Sequence, residues 1–146
     1  KAAFLLSAIG AASIVGRLSV GIFLDKMGGK KSYLFCFIPI LLSLLIFIFI
    51  TNHIILFIFV ALYGFAHGAL FVVVSPTIAE YFGLRDHASL FGIVVFCGTI
   101  GGAIGPILAG TAFDFTGSYN TAFATLFVLV TLSSIVVLTL PETKRR

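Results

Sequence analysis

The sequence predicts an all-α membrane protein of five transmembrane helices, and three observations lead there. Of its 146 residues 60% are hydrophobic and only 10% charged, with 17 phenylalanines, which is more apolar surface than a soluble domain of this length can bury in its own core. The apolar residues fall into five runs, each near or above the roughly 20 residues a helix needs to cross a hydrocarbon layer about 30 Å thick. Between the runs no polar stretch is long enough to form a soluble domain, so the backbone hydrogen bonds have to close inside helices. The alternating segments of about ten residues that would build a membrane β-barrel are absent.

The first span is placed at residues 2–24, bounded by Lys1 and by the Asp25-Lys26 pair. The second, 32–50, begins after Lys30-Lys31 and stops at Thr51-Asn52-His53. The third, 54–80, carries Pro76, expected to kink it, and gives way to Gly83 and Arg85. The fourth, 88–113, opens after Asp86-His87 and closes before Asp114, and the fifth, 121–140, runs from Asn120 to Pro141. The third and fourth exceed the length a perpendicular crossing requires, so they should tilt or project beyond the hydrocarbon. The chain opens on Lys1 without a Met and enters apolar sequence at once, with no charged leader and cleavage site, and is expected to be a piece of a longer protein over its whole length, 1–146.

Nine basic residues could suggest a nucleic-acid binder, but they lie between apolar runs and not on one face of a soluble domain, so no nucleic-acid partner is expected. Their distribution predicts orientation instead. Lys26, Lys30 and Lys31 follow the first span, Arg85 follows the third, and Lys144, Arg145 and Arg146 follow the fifth, against Lys1 alone on the other side. The excess places these loops and the C-terminus in the cytoplasm, with residues 51–53 and 114–120 outside. Cys36 and Cys97 both fall inside apolar runs and are expected as reduced thiols.

Arg17 is the residue whose position asks for an explanation. It lies seven residues before Leu24, about 10 Å by helical rise, and an arginine at that depth costs several kcal/mol unless it meets a wet cavity or a partner. Its forked donors suit a substrate carboxylate, and the structural alternative is a guanidinium that snorkels or braces a neighbouring helix. His67, near the middle of the third span, is either a proton-accepting group at the same site or a neutral ring bonded to an adjacent helix. Gly64 and Gly68 form a small-residue face on that span, and Gly98, Gly102, Gly105, Pro106 and Gly110 form a seam on the fourth; both are expected to pack against other helices. Glu80 is expected to pair with Arg85 or a loop lysine.

The segment from Gly16 to Lys31 holds Gly21, Asp25, Lys26, Gly28, Lys30 and Lys31 at the end of the first span. It resembles the loop signature G-x-x-x-D-[RK]-x-G-[RK]-[RK] of the major facilitator superfamily, with Gly29 standing where that signature has a basic residue. The resemblance implies a twelve-helix fold in which Asp25 latches against a helix of the same half and biases the inward-open and outward-open states. The stretch from Gly105-Pro106 through Asp114 and Thr116-Gly117-Ser118-Tyr119 to Phe123 is similar to the link between the last two helices of the monocarboxylate-transporter and oxalate/formate-antiporter groups, and Pro141-Glu142-Thr143-Lys144 fits the end of that half. The five spans are therefore identified with helices eight to twelve.

In those groups the eighth helix carries an arginine implicated in carboxylate binding, followed four residues later by glycine, and Arg17 and Gly21 match that pattern. The acidic residue one turn before the arginine in many monocarboxylate transporters is replaced by Ser13, and the fourth span lacks the lysine of the oxalate antiporter. The resemblance thus implies secondary transport of a small organic anion, a monocarboxylate more than a dicarboxylate, by alternating access in a plasma membrane. The partners implied are the bilayer, the N-terminal half of the same polypeptide, the solute and, as a co-substrate to be tested, a proton. Transport of another solute, sugar or drug, and a non-transporting sensor of the same fold are the alternatives. No catalytic set, metal cluster or phosphate-binding glycine loop is present in the sequence, so neither enzyme activity nor a cofactor is expected, and a gradient would have to drive transport.

Overall fold

The computed structural model describes residues 2–49 and 53–142, and places five helices in them: α1 (Ala2–Met27), α2 (Gly29–Phe49), α3 (His53–Phe82), α4 (His87–Thr116) and α5 (Asn120–Thr139). All five are long and apolar enough to cross a membrane. The expected loop ends at Lys1, Thr51, Asn52, Lys144, Arg145 and Arg146 lie outside the described residues.

α1 to α4 are longer than the apolar runs that predict them, because polar residues at their ends remain helical, and α5 is shifted by one residue at equal length. The loop expected at 25–31 shrinks to Gly28 alone: α1 continues through Asp25 and Lys26, and α2 starts at Gly29. A one-residue reversal requires a backbone with φ of 83°, which a side chain at this position would oppose. At the opposite end of the bundle, α4 absorbs Asp114, Phe115 and Thr116, and Gly117 ends it in the left-handed conformation with its N–H 2.7 Å from the Phe113 carbonyl. Thr116 then knits the short turn, donating to Ala112 O at 2.7 Å and lying 3.3 Å from the Thr121 hydroxyl. The helix assignment of α3 is unbroken through Pro76.

Packing is closest between α1 and α3, which run in the same direction. Gly16 lies on the Phe65 backbone, Gly64 on Ile9 and Ala12, and Gly68 on Ser13. A Cβ at position 64 would come 2.7 Å from the Ile9 carbonyl oxygen and 2.9 Å from the Ala12 Cβ, so the helices meet backbone to backbone. Behind this seam α2 closes a core of Val20, Leu24, Cys36, Ala69 and Val73. A second core, Ile40, Leu44 and Ala66, receives Phe123, Phe127 and Val130 from α5, and the Phe47 and Phe123 rings stand 4.1 Å apart. Ser32, Ser43 and Thr77 are buried and return their hydroxyls to carbonyls of their own segments at 2.7 to 2.8 Å, so no described buried side-chain polar atom is left unsatisfied. Cys36 is buried and Cys97 exposed, and both thiols are free.

α4 is attached differently. None of its residues is buried, and Gly98, Gly101, Gly102, Gly105 and Gly110 have no atom of a neighbouring helix within 4 Å of where a Cβ would stand. The seam expected to pack is therefore not brought against another described helix of this chain. α4 is tied to α3 at its start, where His87 Nε2 lies 3.0 Å from the Ser75 carbonyl and 3.2 Å from its hydroxyl.

Candidate functional site

Two groups of polar side chains stand out against the apolar helices. The first lies in the middle of the α1–α3 pair. Because α1 extends to Met27, Arg17 lies ten residues from the helix end, about 15 Å by helical rise and deeper than the sequence boundary implied. Its side chain is exposed, as is that of His67. The Gly16–Phe65 and Ser13–Gly68 contacts fix how the two parallel helices sit against each other, and Arg17 follows the first by one residue and the second by about one turn.

Helical phase shows why these groups meet. Positions 64, 65 and 68 of α3 face α1, and 66, 69, 73 and 77 face α2. The positions left over, 63, 67 and 71, project from the side of the α1–α3 pair opposite α2, and Arg17 projects from that same side of α1. His67 was weighed as a ring bonded to an adjacent helix. Its ring contacts lie instead on its own helix: the Tyr63 ring at 5.6 Å, nearly parallel, and the Phe71 ring at 5.2 Å, edge on.

The second group gathers at the end of the bundle where Lys26, Lys30, Lys31 and Arg85 are found. Glu80 Oε2 accepts a 2.7 Å hydrogen bond from the Gly29 N–H, at the first turn of α2. A carboxylate from α3 thus meets the positive end of α2. Lys30 Nζ donates to Leu140 O at 2.6 Å and the Tyr81 hydroxyl to Pro141 O at 2.8 Å, so the end of α5 is held by α2 and α3 through carbonyls that a helix terminus leaves open. Of the residues expected to form a latch, Gly28 makes the reversal, Lys30 holds α5, and Asp25, Lys26 and Lys31 are exposed. A Cβ at Gly21 would meet nothing within 4 Å beyond its own helix backbone.

Glu80 carries a prediction of its own. Glu80→Ala is expected to lower the stability of the solubilised protein by about 1.5 to 3 kcal/mol, the usual worth of a hydrogen bond to a charged group, and Glu80→Gln by less, because an amide oxygen still accepts. Thermal unfolding of both variants checks the order; equal melting of Ala, Gln and wild type would remove Glu80 from the structure's support.

The Tyr81 contact has no signal in the sequence, since nothing local to residue 81 points to a carbonyl 60 positions away. The aromatic row on α3 has a readable signal in the four-residue spacing of Phe59, Tyr63, His67 and Phe71.

Comparison with known proteins agrees with this architecture. The family model described as Major Facilitator Superfamily matches residues 1–146. The chain is 34% identical over 127 residues to monocarboxylate transporter 7 of Homo sapiens, covering 84% of this chain and 24% of that protein. It is 32% identical over 143 residues to monocarboxylate transporter 13 of Rattus norvegicus, covering 97% of this chain and 33% of that one, and 29% identical over 139 residues to the rat monocarboxylate transporter 12, covering 92% and 29%. The chain thus spans about a quarter to a third of the length of these relatives. With five helices of membrane-spanning length and a family match over every residue, the chain is an integral, multi-pass membrane protein and belongs to the Major Facilitator Superfamily, a family of transporters and not of enzymes.

Proposed function

We propose that the chain is the C-terminal part, helices eight to twelve, of a secondary transporter that moves a small organic anion, a monocarboxylate, by alternating access. The observation that carries this reading is the exposed Arg17 guanidinium placed mid-span on the same side of the α1–α3 pair as His67, turned away from α2. A cation at the centre of a membrane helix costs about 2.5 to 3.5 kcal/mol on insertion scales, and an anionic solute in a water-filled cleft offsets it. Arg17 would take the carboxylate with its two parallel donors, and His67 would contribute a single polar group beside it. The names of the relatives support a monocarboxylate over other solutes. Proton coupling cannot run through an acidic residue one turn before Arg17, where Ser13 donates its hydroxyl to Gly10 O at 2.7 Å; His67 is the group placed to take that part.

The other half of the polypeptide would complete the cleft and rock against this half, with the bilayer around both. The basic residues 26, 30, 31 and 85 gather at one end of the helices, which we assign to the cytoplasmic side of the plasma membrane together with the C-terminus.

The test is uptake by the full-length protein in proteoliposomes, with labelled pyruvate, lactate, formate and oxalate supplied with and without a pH gradient. Accumulation of a monocarboxylate but not of oxalate is the expected result. Failure of all four to move, in vesicles where the protein is correctly inserted, sinks the anion reading.

A further inference from the structure

From the arrangement of rings on α3 we infer that the transported monocarboxylate carries an aromatic or other flat conjugated body, held along the Tyr63–His67–Phe71 row while Arg17 holds its carboxylate; this rests on the anion reading above. Four rings follow one another at four-residue intervals on a single helix. Phe59 and Tyr63 are 5.5 Å apart and nearly parallel, Tyr63 and His67 are 5.6 Å apart, and Phe71 meets His67 edge on at 5.2 Å. The row is buttressed from behind at one end, where Phe47 of α2 lies 4.9 Å from Phe59. At the other end it opens: Phe71 is 64% exposed and His67 is exposed, on the side of α3 from which Arg17 also projects.

A face meant only for lipid has no need of an imidazole in its centre or of an arginine beside it. A face meant only for a carboxylate of two or three carbons has no need of three rings in line. From Tyr63 to Phe71 the row extends for about 12 Å of helical rise, far longer than pyruvate, and its rings present the offset and edge-on surfaces that a flat π-system packs against. The charge at Arg17 fixes one end of the solute, and the row fixes the plane of the rest. A saturated chain of similar length would fill the same space without the ring-to-ring gain.

The experiment compares phenylpyruvate, 4-methyl-2-oxopentanoate and pyruvate as labelled substrates of the full-length protein in proteoliposomes, in wild type, Phe71→Leu, Tyr63→Leu and, as a control remote from the cleft, Phe115→Leu. Wild type should favour phenylpyruvate over the branched aliphatic acid by about fivefold in kcat/KM, the scale of one well-placed aromatic pair. Phe71→Leu and Tyr63→Leu should each bring that ratio toward one, and Phe115→Leu should leave it alone. Both substitutions are at solvent- or cleft-facing positions, so detergent stability serves as the check that the variants are folded. If pyruvate moves in an Arg17-dependent way while phenylpyruvate is no better than the aliphatic acid, or its advantage survives both leucine variants, the aromatic inference falls and the anion reading stands. If no 2-oxo acid moves while lactate or formate does, the aromatic inference falls alone; if none of these anions moves, both fall together.

Discussion

Arg17→Gln is expected to reduce monocarboxylate uptake by about 10- to 150-fold in kcat/KM while the protein still inserts, because a hydrogen bond between charged groups contributes about 1.5 to 3 kcal/mol. Glutamine preserves length and polarity but removes the charge and the fork. Arg17→Lys separates those two contributions. It keeps the charge and loses the paired donors, so it should fall between wild type and Arg17→Gln. Initial rates in proteoliposomes across a range of substrate concentrations measure all three. Wild-type uptake by Arg17→Gln would make the guanidinium a structural brace and return the cargo to an unidentified solute.

The second large effect is on the fold. Gly68→Leu places a side chain where even a Cβ would come 2.6 Å from Ser13 Cα, against backbone that cannot rotate away. Overpacked cores usually lose about 1 to 3 kcal/mol, and here the obstructing atoms are main chain, so the cost should exceed that range and part α1 from α3. The full-length variant should melt well below wild type in detergent and reach the membrane in reduced amount. Gly68→Ala should show the same effect to a smaller degree. A Gly68→Leu protein that melts with wild type would mean that α1 and α3 are not in backbone contact at this level. The two predictions are linked by position, since the Ser13–Gly68 contact lies one turn from Arg17 and sets which residue of α3 stands beside it.

The helices and their order were legible from the apolar runs alone; the first begins at residue 2 as expected, and the other ends differ by one to three residues. The misses share a cause. Asp25, Lys26, Asp114 and Thr116 read as loop because they are polar, yet helices continue through the headgroup region, where water and lipid charges solvate such side chains. The reversals were pressed into Gly28 at one end and a few residues from Gly117 at the other, positions where a positive φ is needed and a glycine stands.

Residue identity and spacing thus settled that the chain crosses a membrane, that Arg17 sits at a costly depth, and that it carries a signature segment from Gly21 to Lys31. Those are consequences of transfer free energy and helical rise, which act residue by residue and need no knowledge of the neighbours. Which groups meet was a matter of three-dimensional packing. Close contact at Gly16, Gly64 and Gly68 makes α1 and α3 parallel partners, turns Arg17 toward the His67 row, and brings Glu80 to the start of α2 from 51 positions away. Nothing in a single helix encodes its rotation about its own axis when it is apolar on every side, as these are. That rotation is chosen by the small residues that let two backbones touch, and the chemistry of the cleft follows from it.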